Sequence, residues 1–91
     1  MISVEATGRF AERLRALKLD PAAVLAVMHA TAAAWGNPHQ HSGLGLRRLR
    51  ENVFEVRSGL GVRLVFRAEK SALVFVEAGS HDDVRRFIRQ R

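Results

Sequence analysis

The 91-residue chain has no cysteine, no tyrosine and only two prolines, and no apolar run approaches the 18 residues of a membrane-spanning helix. Without cysteine, disulfides and thiolate metal sites are excluded, and a reducing, cytoplasmic setting is expected. The N-terminus shows no signal-peptide hydrophobic region, so neither secretion nor membrane association is expected. Lysine is scarce too. Lys18 and Lys70 are the only lysines among fifteen basic residues; the others are arginine, against nine acidic residues, for a formal net charge of +6. Arginine offers a planar fork suited to phosphate, so the excess points to a polyanionic partner. A GC-rich genome would raise arginine content as well. One domain covering 1–91 fits this length, and such a chain buries roughly 60–65% of its extended surface. No repeat, low-complexity tract or linker interrupts it.

The stretch from Asn52 to Arg86 organises the rest. Gly59 and Gly61 flank Leu60 and supply the left-handed positions of a tight reversal. With the tip at Leu60, residues whose numbers sum to 120 face each other. Phe54 then meets Phe66 and Val56 meets Leu64 on an apolar face. Glu55 meets Val65 and Arg57 meets Arg63 on the other face, with Arg67 further along. A slip of one residue would scramble this sorting. Arginines directly opposite repel, and Glu55, diagonal to Arg63 and Arg67, offsets part of that repulsion. Clustered guanidinium groups suit an anion, phosphate above all.

Around this hairpin, residues 1–4 read as a short edge strand. Phe10, Leu14 and Leu17 recur at helical spacing, predicting a helix over 5–18, with Glu5 and Arg9 four apart on it. Asp20-Pro21 starts a second helix that runs to about Trp35, with Val24, Leu25, Met28, Ala32 and Trp35 as its buried stripe. Gly36-Asn37-Pro38 stops it, and the two helices are expected to pack as an antiparallel hairpin. His39–Gly45 reads as a loop and Leu46–Arg50 as a strand. Ala72–Ala78 is nearly all apolar, as a strand covered on both faces should be. Ser80 caps a last helix, with Asp83 completing a capping box and Val84, Phe87 and Ile88 facing inward. The expected fold is α+β: an N-terminal helical hairpin on a small antiparallel sheet of three or four strands, with a C-terminal helix.

The segments LRRL, VFEVRSGLGVRLVF and LVFVEAGSHDDVRRF, in this order and spacing, resemble the RelE/ParE superfamily of type II toxins, in particular its RelE-like and YafQ-like messenger RNA interferases. Arg63-Leu64-Val65-Phe66 matches the family's basic–hydrophobic–hydrophobic–aromatic strand, and Gly79-Ser80-His81-Asp82 its Gly-Ser/Thr-His element. The resemblance implies a toxin that enters the ribosomal A site and cuts mRNA without a metal or other cofactor, held inactive by an antitoxin in a hetero-oligomer. His81 matches a catalytic histidine of the YafQ branch and Arg63 an arginine on the scissile phosphate. Arg57 falls where the family carries a basic or histidine side chain. The YafQ branch's aspartate near the turn maps onto Gly61, and the RelE branch's paired lysines appear as Glu55 and Arg57.

Cleavage of this kind needs a base for the 2′-hydroxyl, an acid for the 5′-oxygen and charge stabilisation at phosphorus. Imidazole titrates near neutrality, so His81 suits acid or base. Arg63 and Arg57 suit the phosphate. Glu55 is the best available carboxylate for proton abstraction. Arg47, Arg48, Arg67 and Arg85 are candidates for gripping the RNA backbone. Each also has a bland reading: His81 as a solvated capping residue, Glu55 as a salt-bridge partner, the arginines as a charged surface. His39-x-His41 lacks further ligands for a metal, and Met28 and Trp35 read as core. Two rival functions remain open from sequence: a ParE-like toxin binding a protein target such as gyrase, and a non-catalytic nucleic-acid-binding module.

Overall fold

A computed structural model describes residues 2–36 and 41–90. The chain runs β1 (Ser3–Ala6), α1 (Gly8–Ala16), α2 (Pro21–Ala34), a short α3 (His41–Leu44), β2 (Arg47–Arg50), β3 (Val53–Arg57), β4 (Arg63–Ala68), β5 (Ala72–Gly79) and α4 (His81–Arg89). The sheet has five strands in the order β1-β5-β4-β3-β2. Strands β2 to β5 form the expected antiparallel meander. Strand β1 joins it parallel to β5, with Ser3 opposite Ala72, which makes the sheet mixed.

The β3–β4 register is the predicted one: Phe54 faces Phe66, Glu55 faces Val65, Val56 faces Leu64 and Arg57 faces Arg63. Phe54, Val56, Leu64 and Phe66 pack with Leu73 and Phe75 of β5 beneath Phe10 of α1 and Val24 and Met28 of α2. Phe54 and Phe66 stack at 5.7 Å, and Trp35 meets Phe54 edge-on at 4.8 Å. Each such ring pair adds about 0.5–1.5 kcal/mol beyond burial. Helix α4 covers the other face. Its Val84 and Phe87 close a second core over Val65 and Val76.

Several expectations shift. The first helix begins at Gly8 rather than Glu5, because strand pairing continues to Ala6 and the Thr7 hydroxyl accepts from the Phe10 N–H as the cap. Glu5 and Arg9 therefore share no helix. Leu25 is about half exposed, since Val24, Met28 and Thr31 form the buried side of α2. The segment read as a loop contains α3. The helix stop at Asn37-Pro38 and His39 of the His-x-His pair lie outside the described residues. The capping box is present: Ser80 Oγ accepts from the Asp83 N–H, and Asp83 Oδ2 accepts from the Ser80 N–H. Gly79 makes it possible, because a Cβ there would lie 2.6 Å from Asp83 Cβ.

Candidate functional site

On the α4 side of the sheet, Arg47, Glu55, Val65 and Glu77 form one cross-strand row. Helix α4 packs on Val65, so the face that carries the arginines is half core and half polar. The row places Glu55 beside the N-terminal end of α4, and the Gly79-Ser80 junction delivers His81 there.

Glu55 is 1% exposed. Its Oε2 accepts from Arg63 Nη1 at 2.9 Å and pairs with Arg47 Nη2 at 3.2 Å. Its Oε1 is buried with no hydrogen-bond partner. A buried acceptor left unpaired costs about 1–3 kcal/mol. Arg47 is the more exposed of its two partners, at 61%.

Arg57 is held differently. It makes no hydrogen bond or ion pair among the described residues. Its guanidinium lies against the backbone of Gly45, where an added Cβ would stand 3.0 Å from both Cζ and Nη2. Gly45 also has φ +68°, a conformation that suits glycine. A cation with no acidic partner among the described residues thus lies against a loop beside the Glu55 carboxylate.

Two adjoining hollows result. One, of about 280 Å³, is lined by Gly45, Arg47, Glu55, Arg57 and Arg63. The other, of about 290 Å³, is lined by Arg47, Glu55, His81, Arg85 and Arg89 over Leu49, Val84 and Ile88. They share Arg47 and Glu55. The structure thus brings Arg63, Arg57, Glu55, His81, Arg47 and Arg85 to one trough. His81, Arg85 and Arg89 stand at i, i+4 and i+8 along α4, and none makes an ion pair among the described residues.

Two candidates lie elsewhere. Arg48 Nε donates to the Glu51 carbonyl at the β2–β3 turn. Arg67 pairs with Glu69, not Glu55, and lines a separate cavity beside Phe87 and Ile88. The helix packed over Val65 separates it from Arg63. Sequence reading missed Gly45, whose closeness to Arg57 is purely tertiary, and Arg89, whose spacing from His81 was legible. It also passed over Glu77. That carboxylate pairs with Arg9 at 2.6 Å and Arg13 at 3.3 Å, and its Oε1 accepts from the Ala78 N–H. Among the described residues no three His, Asp or Glu side chains group as metal ligands, and no helix is long and apolar enough to cross a membrane.

This architecture, helices on both faces of a five-stranded sheet, is the RelE/YafQ-like toxin fold. The chain is similar to a copper-bound mutant toxin from Helicobacter pylori (TM-score 0.71, 17% identity, 92% of this chain and 99% of that one). It is also similar to the E. coli DinJ–YafQ toxin–antitoxin complex (TM-score 0.67, 12% identity, 91% and 96%). A third likeness is to the archaeal RelE–RelB complex from Pyrococcus horikoshii OT3 (TM-score 0.63, 10% identity, 87% and 93%). No protein-family model and no curated protein sequence matches the chain. At these identities the likeness is one of fold.

Proposed function

We propose that the protein is the toxin of a toxin–antitoxin pair and acts as an endoribonuclease on mRNA in the ribosomal A site. The fold likeness to toxins, one of them complexed with its antitoxin, supports the toxin role and an antitoxin partner. The observation that carries the nuclease reading is the shared trough: an imidazole, a guanidinium with no ion pair among the described residues and a buried carboxylate with an unused oxygen line two adjoining hollows.

In this reading the phosphate lies against Arg57, with Arg63 beside it. Charge building on the non-bridging oxygens meets guanidinium groups already in place, so little reorganisation is needed. Glu55 Oε1 takes the 2′-hydroxyl proton once Arg47 swings outward. The 2′-oxygen attacks phosphorus, the bond to the 5′-oxygen breaks, and His81 supplies the proton to that oxygen. The products are a 2′,3′-cyclic phosphate and a 5′-hydroxyl, with the proton balance closed between Glu55 and His81. Arg85 and Arg89 hold the flanking strand, and no step calls for a metal.

The test is induction in cells of wild type, His81→Ala, Arg57→Ala and Glu55→Gln, with growth followed and transcript 5′ ends mapped. Cleaved transcripts with wild type, lost in all three variants, are expected. Growth arrest with intact transcripts would sink the nuclease reading and favour a protein target such as gyrase.

A further inference from the structure

On the far flank of α4 lies another cavity, of about 310 Å³. Its floor is apolar: Val53 of β3, Val76 of β5 and Phe87 of α4. Its rim is three guanidinium groups from elements distant in sequence, Arg9, Arg50 and Arg67, and among the described residues no carboxylate lines it. Each arginine is anchored at the cavity's edge. Arg9 is tied to buried Glu77 and lies over the Phe87 ring, 5.7 Å from its centroid. Arg50 Nη1 reaches the Ile88 carbonyl at 3.4 Å, and its Nε is buried without an acceptor. Arg67 Nε is 3.3 Å from Glu69.

The balance of charge differs among the three. Glu77 neutralises Arg9 from a buried position. The partners of the other two face solvent: Glu51 is 83% exposed and 4.0 Å from Arg50, and Glu69 is 46% exposed. Such exposed pairs are worth little and are screened. Arg50 and Arg67 therefore keep most of their attraction for an incoming anion.

Three properties narrow that anion. The cavity is too large for a bare inorganic ion, and its floor rewards an apolar body. A single carboxylate would engage one fork and leave the other unused. A phosphate monoester, with a charge of about −1.5 to −2 and three acceptor oxygens, matches two forks. The Arg9 guanidinium offers a planar cationic face on which a base can stack. The geometry points to a nucleotide site, with the base over Val53 and Val76 against the Arg9 guanidinium and its phosphate between Arg50 and Arg67. This site is separate from the trough and independent of the nuclease reading. Its ligand is a free nucleoside monophosphate or the phosphorylated end of an RNA.

The full chain, ¹⁵N-labelled, is titrated with AMP, UMP, inorganic phosphate and a 5′-phosphorylated uridine dinucleotide at matched ionic strength. The nucleotides shift the amides of Val76, Phe87 and Arg67 with affinity at least about tenfold above that of phosphate. The Arg50→Ala/Arg67→Ala variant, folded by its spectrum, loses at least about tenfold. A dinucleotide that binds more tightly than UMP assigns the site to RNA ends; equal binding assigns it to free nucleotides. Nucleotides that bind no better than phosphate, or shifts that survive in the double variant, overturn the assignment. Transcript cleavage plays no part in these readouts, so the site and the nuclease stand or fall separately.

Discussion

Glu55 and Glu77 flank Val65 in one row of the sheet, both almost fully buried, both met by two arginines. They differ in what is left over. Both oxygens of Glu77 are engaged, by Arg9, by Arg13 and by a backbone N–H, and Arg13 also reaches the Ala78 carbonyl and Asp83. That cluster ties α1 to the end of β5 and to the start of α4. Glu55 directs one oxygen at two arginines and leaves the other idle. Saturated hydrogen bonding makes a brace. The unsatisfied acceptor, not depth or residue type, is what makes Glu55 rather than Glu77 the base of the proposed reaction.

The comparison is broken most strongly at Glu55. Glu55→Gln keeps the shape and one acceptor but removes the base, so cleavage of a reporter transcript should fall about a hundred- to ten-thousand-fold. The midpoint of urea unfolding should move little, because the amide oxygen still accepts from Arg63 and Arg47. Glu77→Ala should show the reverse. It leaves the Ala78 N–H without its acceptor and removes both ion pairs of the carboxylate, at a cost of about 1–3 kcal/mol in urea unfolding, the usual penalty for a buried polar group left unpaired. If both variants lose similar amounts of stability and activity, the two glutamates play one role and the distinction fails.

A subtler variant acts on the neighbouring cation. Gly45→Ala puts a methyl group into the Arg57 guanidinium and strains a left-handed residue by about 1–2 kcal/mol. Cleavage should drop about tenfold or more through displacement of Arg57, and the additional change Arg57→Ala should then cost almost nothing further. Full additivity of the two, in a double-mutant cycle on cleavage rate, would show that Gly45 does not position Arg57.

Much of this frame is legible in the sequence because it rests on period and local chemistry. Alternation sets the β3–β4 register to the residue, and Ser80 with Asp83 announces the last cap. Val65 on an otherwise charged face is a visible sign that something covers it, and Val84, Phe87 and Ile88 supply that cover. What escapes depends on encounters between distant segments. The parallel pairing of β1 with β5 has no local signature. A register shift between Val65 and Phe66 sets Glu77, not Val76, opposite Val65. That shift brings Glu77 into the row, and strict alternation along Ala72–Ala78 cannot show it. The hairpin register alone offers Glu55 to Arg63 and Arg67 alike. In the fold it serves Arg63 and Arg47, because α4 stands between Arg63 and Arg67 and β2 sets Arg47 directly opposite Glu55.

The smallest effect concerns how His81 is held between frame and site. Asp83 closes the cap that sets His81 at the trough, and it also touches the brace through Arg13. The Ser80 backbone N–H above all, with the Ser80 hydroxyl, Arg86 and Arg13, holds its carboxyl below the ordinary value of 3.8 against the opposing effect of burial. A lowered folded-state value means that the ionised cap stabilises the fold at and above the ordinary carboxylate range. That contribution drains away as pH falls below 3.8 towards the lowered value. Asp83→Asn should therefore melt slightly below wild type at about pH 7, by an amount typical of an exposed cap, about 1 kcal/mol or less. The two curves should converge once pH has fallen below the lowered folded-state value, where both side chains are neutral. Parallel curves across that range would mean that the carboxylate charge does nothing for the cap, and that packing against Gly79 alone fixes the start of α4.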